Sequence, residues 1–351
     1  MKIGIMSMQR IRNYGSFMQS YCLKNILEQM NNQVSFVDYQ EGNPVSDEIN
    51  LDDIQKLPLK KLIKKKIVGA KFAILYNYIW LPKYLNIKRK KCFNKEIDKL
   101  IIGSDEVFNC TQSGKTVGYS KDLFGYGRKN VSTYAASFGY TTIERLKKYK
   151  INNEVANMLK ELSSISVRDK NSYNIVNELT GIKPEINLDP VLVSNLSKIK
   201  LPKIRTKNYI IIYSYCGRIT EEESKYIRAF ADKHNKKIIS LGYYNSYADK
   251  NIVVNPFKML TYFKNADYVI TDTFHGSIFS IIYEKKFVTL IRKTNREKLG
   301  DLLERLNLRE RELDDLANLE AKISKNIDYK KVNEILKYER KHTLDYLKSN
   351  L

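Results

Sequence analysis

The chain repeats one local pattern from end to end: a short apolar run, a polar turn of Gly, Ser, Asn or Asp, then a helical stripe. The first instance is residues 2–6 (KIGIM), a loop at 9–16 (QRIRNYGS) and a helix over 17–29. On that helix Phe17, Met18, Tyr21, Cys22 and Ile26 share one face. A second apolar run follows at 34–39. Such a βαβ unit calls for a parallel sheet with a right-handed crossover, because the helix returns the chain to the same end of the sheet.

Further strands are expected at 99–102, 131–137, 164–167 and 185–188, with a helix at 142–162. Asn171 and Ser172 can cap another helix that stops at Gly181. Residues 196–207 (LSKIKLPKIRTK) are polar, lack a period and contain Pro202, as a linker would. The pattern then resumes, with strands at 209–215, 237–241, 252–254, 268–271 and 287–290 and helices at 221–234 and 256–264. Residues 296–351 are charged and read as helical. With 351 residues the chain exceeds what one hydrophobic core organises. The expectation is an α/β protein of two doubly wound, Rossmann-like domains, 1–195 and 208–295. A C-terminal helical return at 296–351 completes it, with the site in the cleft between the domains.

Apolar residues make up 43 % of the chain, enough for two ordinary cores. The four cysteines (Cys22, Cys92, Cys110, Cys216) follow no metal or redox spacing, which suits a reducing compartment. Three histidines without a CxxC or HxxxH pattern argue against a structural zinc site. The N-terminus lacks the long apolar stretch of a signal peptide, so a cytoplasmic location is expected.

The net charge of +22 is unevenly spread: residues 54–95 hold thirteen Lys or Arg and no acid. That segment can meet an anionic bilayer, a phosphorylated substrate or nucleic acid, or it can be a solvated helix face. Nucleic acid is the weakest of these, since the aromatics do not interleave with the basic run and no reader motif occurs. Within it, residues 67–81 (IVGAKFAILYNYIWL) number 15 and include Lys71, fewer than the roughly 20 that span a membrane. A core helix is the expectation, and an amphipathic element lying on the inner face of the cell membrane is the alternative.

The strongest chemical signal is Thr271–Ser277 (TDTFHGS), a turn between the strand at 268–271 and an apolar helix. Strand carboxyl ends are where open α/β sheets bind ligands, and the unpaired N–H groups opening a helix attract anions. Asp272, Thr273, Phe274, His275, Gly276 and Ser277 therefore form a candidate anion-binding turn. Gly276 would admit ligand to the backbone, and Ser277 would cap the helix or donate to an oxygen. A helix N-terminus disfavours imidazolium while a bound anion favours it, so His275 suits a general acid or base. The same turn also suits a buried neutral histidine satisfied by hydrogen bonds.

Other strand ends carry polar groups. Asp105 and Asn109, in GSDEVFN, can accept a sugar hydroxyl, or Ser104 and Asp105 can cap a helix. Arg168 can clamp a carboxylate or phosphate, or pair with Asp169 or a neighbour. Asp189-Pro190 reads first as a turn. The loop Asn13-Tyr14-Gly15-Ser16, flanked by Arg10 and Arg12, precedes a helix as the histidine turn does. Arg292, Lys293 and Arg296 could add anion contacts or form a solvated loop.

Taken together, these pieces resemble the polysaccharide pyruvyl transferase family. They are Asn13–Ser16 with Gln19-Ser20-Tyr21, then GSDEVFN at 103–109, YAASFG at 134–139, SVRD at 166–169 with DPV at 189–191, and TDTFHG at 271–276. The order is the family's, and the match covers about residues 1 to 295. Glu106, Phe108 and Thr273 depart from the family's usual Gln, Trp and Ser; the first two bear on acceptor identity more than on reaction type.

The resemblance implies a fold similar to GT-B glycosyltransferases. It implies a transferase moving pyruvate from phosphoenolpyruvate onto two hydroxyls of a sugar, in a bacterial surface polysaccharide or its lipid-linked precursor. By that carry-over His275 and Asp105 are catalytic. Arg168, Thr273, Phe274, Gly276 and Ser277 hold phosphoenolpyruvate with His275. Asn13, Tyr14, Gly15, Ser16, Asp105 and Asn109 face the acceptor. Phosphoenolpyruvate is the donor substrate, with no cofactor and no metal expected. The expected partners are a sugar acceptor, in one form linked to a polyprenyl diphosphate, and the anionic membrane surface. A nucleotide-sugar glycosyltransferase of the same architecture is the alternative.

Overall fold

The computed structural model describes residues 1–46, 58–114, 116–292 and 295–351. The first unit builds a six-stranded sheet from β1 (Lys2–Met6), β2 (Gln33–Phe36), β3 (Lys99–Asp105), β4 (Val131–Ala136), β5 (Ser166–Val167) and β6 (Glu185–Ile186). All neighbours pair in parallel, in the order β2-β1-β3-β4-β5-β6. Helix α1 (Tyr14–Gln29) connects β1 to β2, so the opening βαβ unit forms as its apolar spacing requires. Strands β3 and β4 are buried along almost their whole length, as expected of a sheet covered on both faces.

The second unit repeats the plan with β7 (Tyr209–Tyr213), β8 (Lys237–Leu241), β9 (Lys250–Ile252), β10 (Tyr268–Thr271), β11 (Lys286–Leu290) and β12 (Glu312–Leu313). Its order is β12-β11-β10-β7-β8-β9, again all parallel. In each sheet the chain order reverses at one place, between β1 and β3 in the first and between β7 and β10 in the second. Loops leaving adjacent strands in opposite directions open a crevice there. The two crevices face each other, and the candidate residues lie in them.

Several expectations change in detail. Helix α2 (Leu59–Leu75) runs on into a π-helical stretch at Tyr76–Leu85. Phe72, Tyr76, Trp80, Leu81 and Leu85 are buried, as a core helix requires, but Ile67, Ile74, Tyr78 and Ile79 are exposed. The helix expected at 142–162 is two, α3 (Ile143–Lys148) and α4 (Asn152–Lys160), because Lys150 turns left-handed (φ 56°) between them. Helix α5 (Lys170–Thr180) is capped not by Asn171 or Ser172 but by Asp169, whose carboxylate accepts from the Ser172 N–H at 2.8 Å. Gly181, at φ 76°, ends it as expected. The short helix α6 (Pro190–Val193) follows β6.

In the second unit α7 (Glu221–Lys233), α8 (Pro256–Asn265) and α9 (Phe274–Ile282) alternate with the strands. The C-terminal stretch is not purely a helical return, since β12 lies inside it, between α10 (Arg296–Arg305) and α11 (Leu319–Ser324). The last helix, α12 (Tyr329–Ser349), crosses back to the first unit. There the Tyr346 hydroxyl donates to the Thr133 carbonyl at 3.0 Å, and Arg340 Nε to the Leu192 carbonyl at 2.6 Å.

The two units are also joined near the cleft. Tyr14 is fully buried; its hydroxyl donates to the Val254 carbonyl at 2.7 Å and accepts from the Val254 N–H at 3.0 Å. Its ring stacks on Trp80 at 5.5 Å, while Tyr21 and Tyr84 each meet Phe257 of α8 at 5.1 Å. This aromatic seam fixes the first turn of α1 against the second unit.

Candidate active site

The cleft is a cavity of about 200 Å³. From the first unit it is lined by Asn13, Gly15, Ser16, Asp105, Glu106, Tyr140 and Arg168; from the second by Tyr213, Tyr215, Arg218, Asp272, Thr273, Phe274, His275 and Lys298.

His275 lies in the first turn of α9. Thr273 caps that helix, its hydroxyl accepting from the Gly276 N–H at 3.0 Å. The imidazole Nε2 is buried and has no hydrogen-bond partner among the described residues; it lies 3.5 Å from Asp189 Oδ2. That gap is long for a hydrogen bond but short for attraction between a carboxylate and an imidazolium. The other edge of the ring faces Gly15, where a Cβ would fall 2.3 Å from His275 Nδ1. The glycine of the first unit thus leaves room for the histidine of the second.

Asp189 gathers the site's charges. One oxygen caps α6 through the Val191 N–H at 3.0 Å. The other accepts from Arg168 Nη1 at 3.0 Å and from the Ser104 hydroxyl at 3.4 Å. Burial opposes the charge of Asp189, but His275 and Arg168 outweigh it and hold the carboxyl below its usual range. Arg168 is itself buried, with its guanidinium 4.1 Å over the Phe274 ring and Nη2 3.8 Å from Asp105. Its partners are Asp189 and Asp105 rather than Asp169, which caps α5. Its Nε is buried without a partner among the described residues.

Asp105 sits at φ 88°, a region that side-chain-bearing residues rarely occupy. The Ser16 hydroxyl, 2.7 Å from Asp105 Oδ2, holds it facing α1, and no helix follows it to be capped. Its neighbour Glu106 hydrogen-bonds Lys298 of α10, tying the units across the cleft mouth. Burial works against the charge of Glu106, but Lys298 and then Arg168 and Asn109 outweigh it, bringing its pKa down to about 2. On the opposite wall Asp272 is fully buried, and burial pushes its carboxyl above the usual range against the pull of Arg218, 3.7 Å away. The Arg218 guanidinium lies 4.5 Å over the Tyr215 ring. Among the described residues no three His, Cys, Asp or Glu side chains converge to hold a metal ion.

Nine expected site residues therefore meet in the cleft: Asn13, Gly15, Ser16, Asp105, Arg168, Asp272, Thr273, Phe274 and His275. Four do not. Tyr14 is committed to the aromatic seam. Asn109 is buried, bonds Glu106 at 2.8 Å and Thr141 at 3.0 Å, and does not line the cleft. Ser277 turns to the Thr273 carbonyl and the Thr289 hydroxyl, and Thr273 takes the capping role expected of it. Gly276 is required by its own strand, since a Cβ there would meet Thr271 Oγ1 at 2.1 Å. Arg10 is bound bidentately to Asp38 (2.5 and 2.8 Å) and Arg292 to Glu223 (2.7 and 2.9 Å). Arg296 is an exposed side chain whose carboxylate partner is Asp314 at 4.0 Å. Lys293 lies outside the described residues.

Arg218, Lys298 and the pairing of Asp189 with His275 were not singled out from the sequence. Arg218 had a readable signal, following Gly217 just beyond the strand at 209–215; Lys298, inside a charged helix, had none.

Comparison with solved structures places the architecture. The glycotransferase of kitacinnamycin matches with a TM-score of 0.52 at 10 % identity, over 100 % of this chain and 98 % of its own. The S. aureus MnaA–UDP structure matches at 0.51 and 9 % identity, over 98 % and 90 %. UDP-GlcNAc 2-epimerase from Methanocaldococcus jannaschii matches at 0.50 and 13 %, over 96 % and 100 %. These likenesses establish a GT-B-like fold of two Rossmann-like units. No curated protein matches the chain by sequence. The family profile described as polysaccharide pyruvyl transferase matches residues 13–294, a span that includes both walls of the cleft. The chain belongs to the polysaccharide pyruvyl transferase family.

Proposed function

We propose that the protein is a ketal pyruvyl transferase that moves pyruvate from phosphoenolpyruvate onto two hydroxyls of a sugar in a surface polysaccharide or its lipid-linked precursor. The observation that carries this reading is the arrangement of His275, Asp189 and Arg168. A titratable ring with one edge toward a buried carboxylate and the other opened by Gly15 lies beside a buried guanidinium with a free Nε–H.

In this reading His275, 3.5 Å from Asp189, is the proton donor. It gives its proton to the methylene carbon of phosphoenolpyruvate, leaving an oxocarbenium-like centre at the adjoining carbon. A sugar hydroxyl adds there and loses its proton, for which Asp105 on the opposite wall is the available carboxylate. The C–O bond to phosphate then breaks and phosphate leaves with the proton taken up by Asp105, while a second hydroxyl closes the cyclic ketal and its proton restores His275. Arg168 and Arg218 face the cleft from opposite units and supply positive charge for the carboxylate and phosphate. A cavity of about 200 Å³ suits a small anion better than a nucleotide sugar, since pockets for larger ligands start at roughly 300 Å³.

Phosphate release from phosphoenolpyruvate, measured with a panel of galactosides, mannosides and glucosaminides, tests the reading. Release should depend on a sugar and fall in Arg168→Ala, though less than in His275→Ala; full activity in His275→Ala would remove the histidine from the mechanism. Thermal protection by a nucleotide sugar, with none by phosphoenolpyruvate, would replace the reading with that of a glycosyltransferase.

A further inference from the structure

Helix α2 divides into a side that packs and a side that does not. At about 100° per residue, Leu59, Ile63, Ile67, Ala70 and Ile74 form one continuous stripe, and Phe72 lies on the opposite side. Phe72 is buried against Tyr14, Tyr76 and Trp80. The stripe faces solvent, with Leu59, Ile63, Ile67 and Ile74 from 49 to 72 % exposed. Lys60, Lys64 and Lys71 line one border of the stripe, and Lys66 lies toward the other. Tyr78 and Ile79 extend the exposed apolar surface into the π-helical stretch, with the Arg89 guanidinium 4.8 Å over the Tyr78 ring. Among the described residues, seven of the twelve exposed large hydrophobics fall between 59 and 79.

We propose that this face of α2 is a docking surface for an anionic lipid bilayer, with the helix lying in the interface and its apolar stripe among the acyl chains. Apolar stripe and lysine border together match what an anionic leaflet offers, and residues 54–95 contain no acid to oppose it. A second copy of the chain would bring the same lysines to a two-fold contact and repel itself. Nucleic acid would answer the lysines but leave the aliphatic stripe in water. Among the described residues no helix is long and apolar enough to cross a membrane, so the contact is a peripheral one.

The surface lies close to the cleft. Lys61, on the inward side of α2, lines a groove of about 560 Å³ together with Cys216, Gly217 and Thr220. That loop carries Arg218 into the active site. Docking would bring the rim of the cleft to the leaflet, where a lipid-borne sugar could enter without leaving the membrane. The inference does not depend on the identity of the donor.

Co-sedimentation of the full-length protein with phosphatidylglycerol–phosphatidylcholine vesicles, compared with vesicles of phosphatidylcholine alone, tests the proposal. Binding should require the anionic lipid and weaken with added salt. Replacing Lys60, Lys64, Lys66 and Lys71 together by Gln should lower it on the order of 100-fold. Ile63→Ser with Ile67→Ser should lower it about tenfold or more. These side chains are exposed, so the melting temperature should stay at the wild-type value. Equal binding to both vesicle types, or wild-type binding by the lysine variant, would overturn the proposal. So would self-association lost in Ile63→Ser, or a salt-sensitive RNA complex, if either occurred without vesicle binding.

Discussion

The two turns that meet in the cleft are built alike and do different things. In each, a polar side chain caps a helix by accepting from the N–H three residues on: Asn13 from Ser16 at 2.6 Å, Thr273 from Gly276 at 3.0 Å. Each also has a glycine in its first helical turn. The difference lies in what forbids a side chain there. At Gly276 it is the Thr271 hydroxyl of the same unit; at Gly15 it is the imidazole of the other unit. One glycine serves local packing, and the other serves the assembly of the site. Two turns of the same local design can therefore fail in opposite ways.

The largest effect should come from His275→Ala, which removes the proposed proton donor while leaving the Gly15 turn intact. Phosphate release should fall on the order of 100- to 10,000-fold, and wild-type rates would show that the histidine is only packed. Gly15→Ala should come next. The ring must move to admit the methyl, and a displacement of that size costs about 100-fold in rate. Its melting temperature should change little, because Ala's helix preference of up to about 1 kcal/mol offsets part of the cost of moving the ring. Gly276→Ala should do the reverse and lower stability by about 1–3 kcal/mol through overpacking against Thr271. If Gly15→Ala lost stability instead of activity, the contrast between the two glycines would fail.

The link between the units gives a smaller, pH-dependent effect. Glu106 titrates at about 2 in the folded protein, below the unfolded value of about 4.3. The folded state therefore gains from its charge above that range, and the gain is lost as pH falls toward 2. Glu106→Gln should cost about 1 kcal/mol at neutral pH, a modest figure because the side chain is partly open to solvent. The gap from wild type, read from chemical denaturation, should shrink below pH of about 4; a constant gap would mean the carboxylate charge does not hold the units together. Of similar size, Asn13→Ala and Thr273→Ala should each cost about 1 kcal/mol of stability through the lost cap, and smallest of all is Thr273→Ser, close to neutral.

Much of the second unit was legible because its strands are short apolar runs with polar ends; β8 and β10 fall where expected to the residue. Strand β12 was not, since two residues inside a charged stretch carry no period. The split at Lys150 was hidden because a lysine in a left-handed turn resembles a lysine on a helix. Among the site residues, Arg168 and His275 could be read because each follows a strand, where an exposed polar end has few structural uses. Tyr14 and Asn109 misled because they share motifs with true lining residues. A motif marks a stretch of backbone, while the direction of each side chain depends on its surroundings.

The sequence by itself determined two parallel sheets, the strand-to-helix turns and the polar groups placed at their ends, because periodicity and turn chemistry act over a few residues. Only the tertiary structure decided that Gly15 meets His275, that Asp189 lies between His275 and Arg168, and that Lys298 reaches Glu106. It also divided α2 into a buried aromatic side and an exposed apolar one. The contacts of His275 with Gly15 and Asp189 and of Lys298 with Glu106 join residues far apart in the chain, and their distances are set by how the two units pack. Local spacing carries no record of that packing.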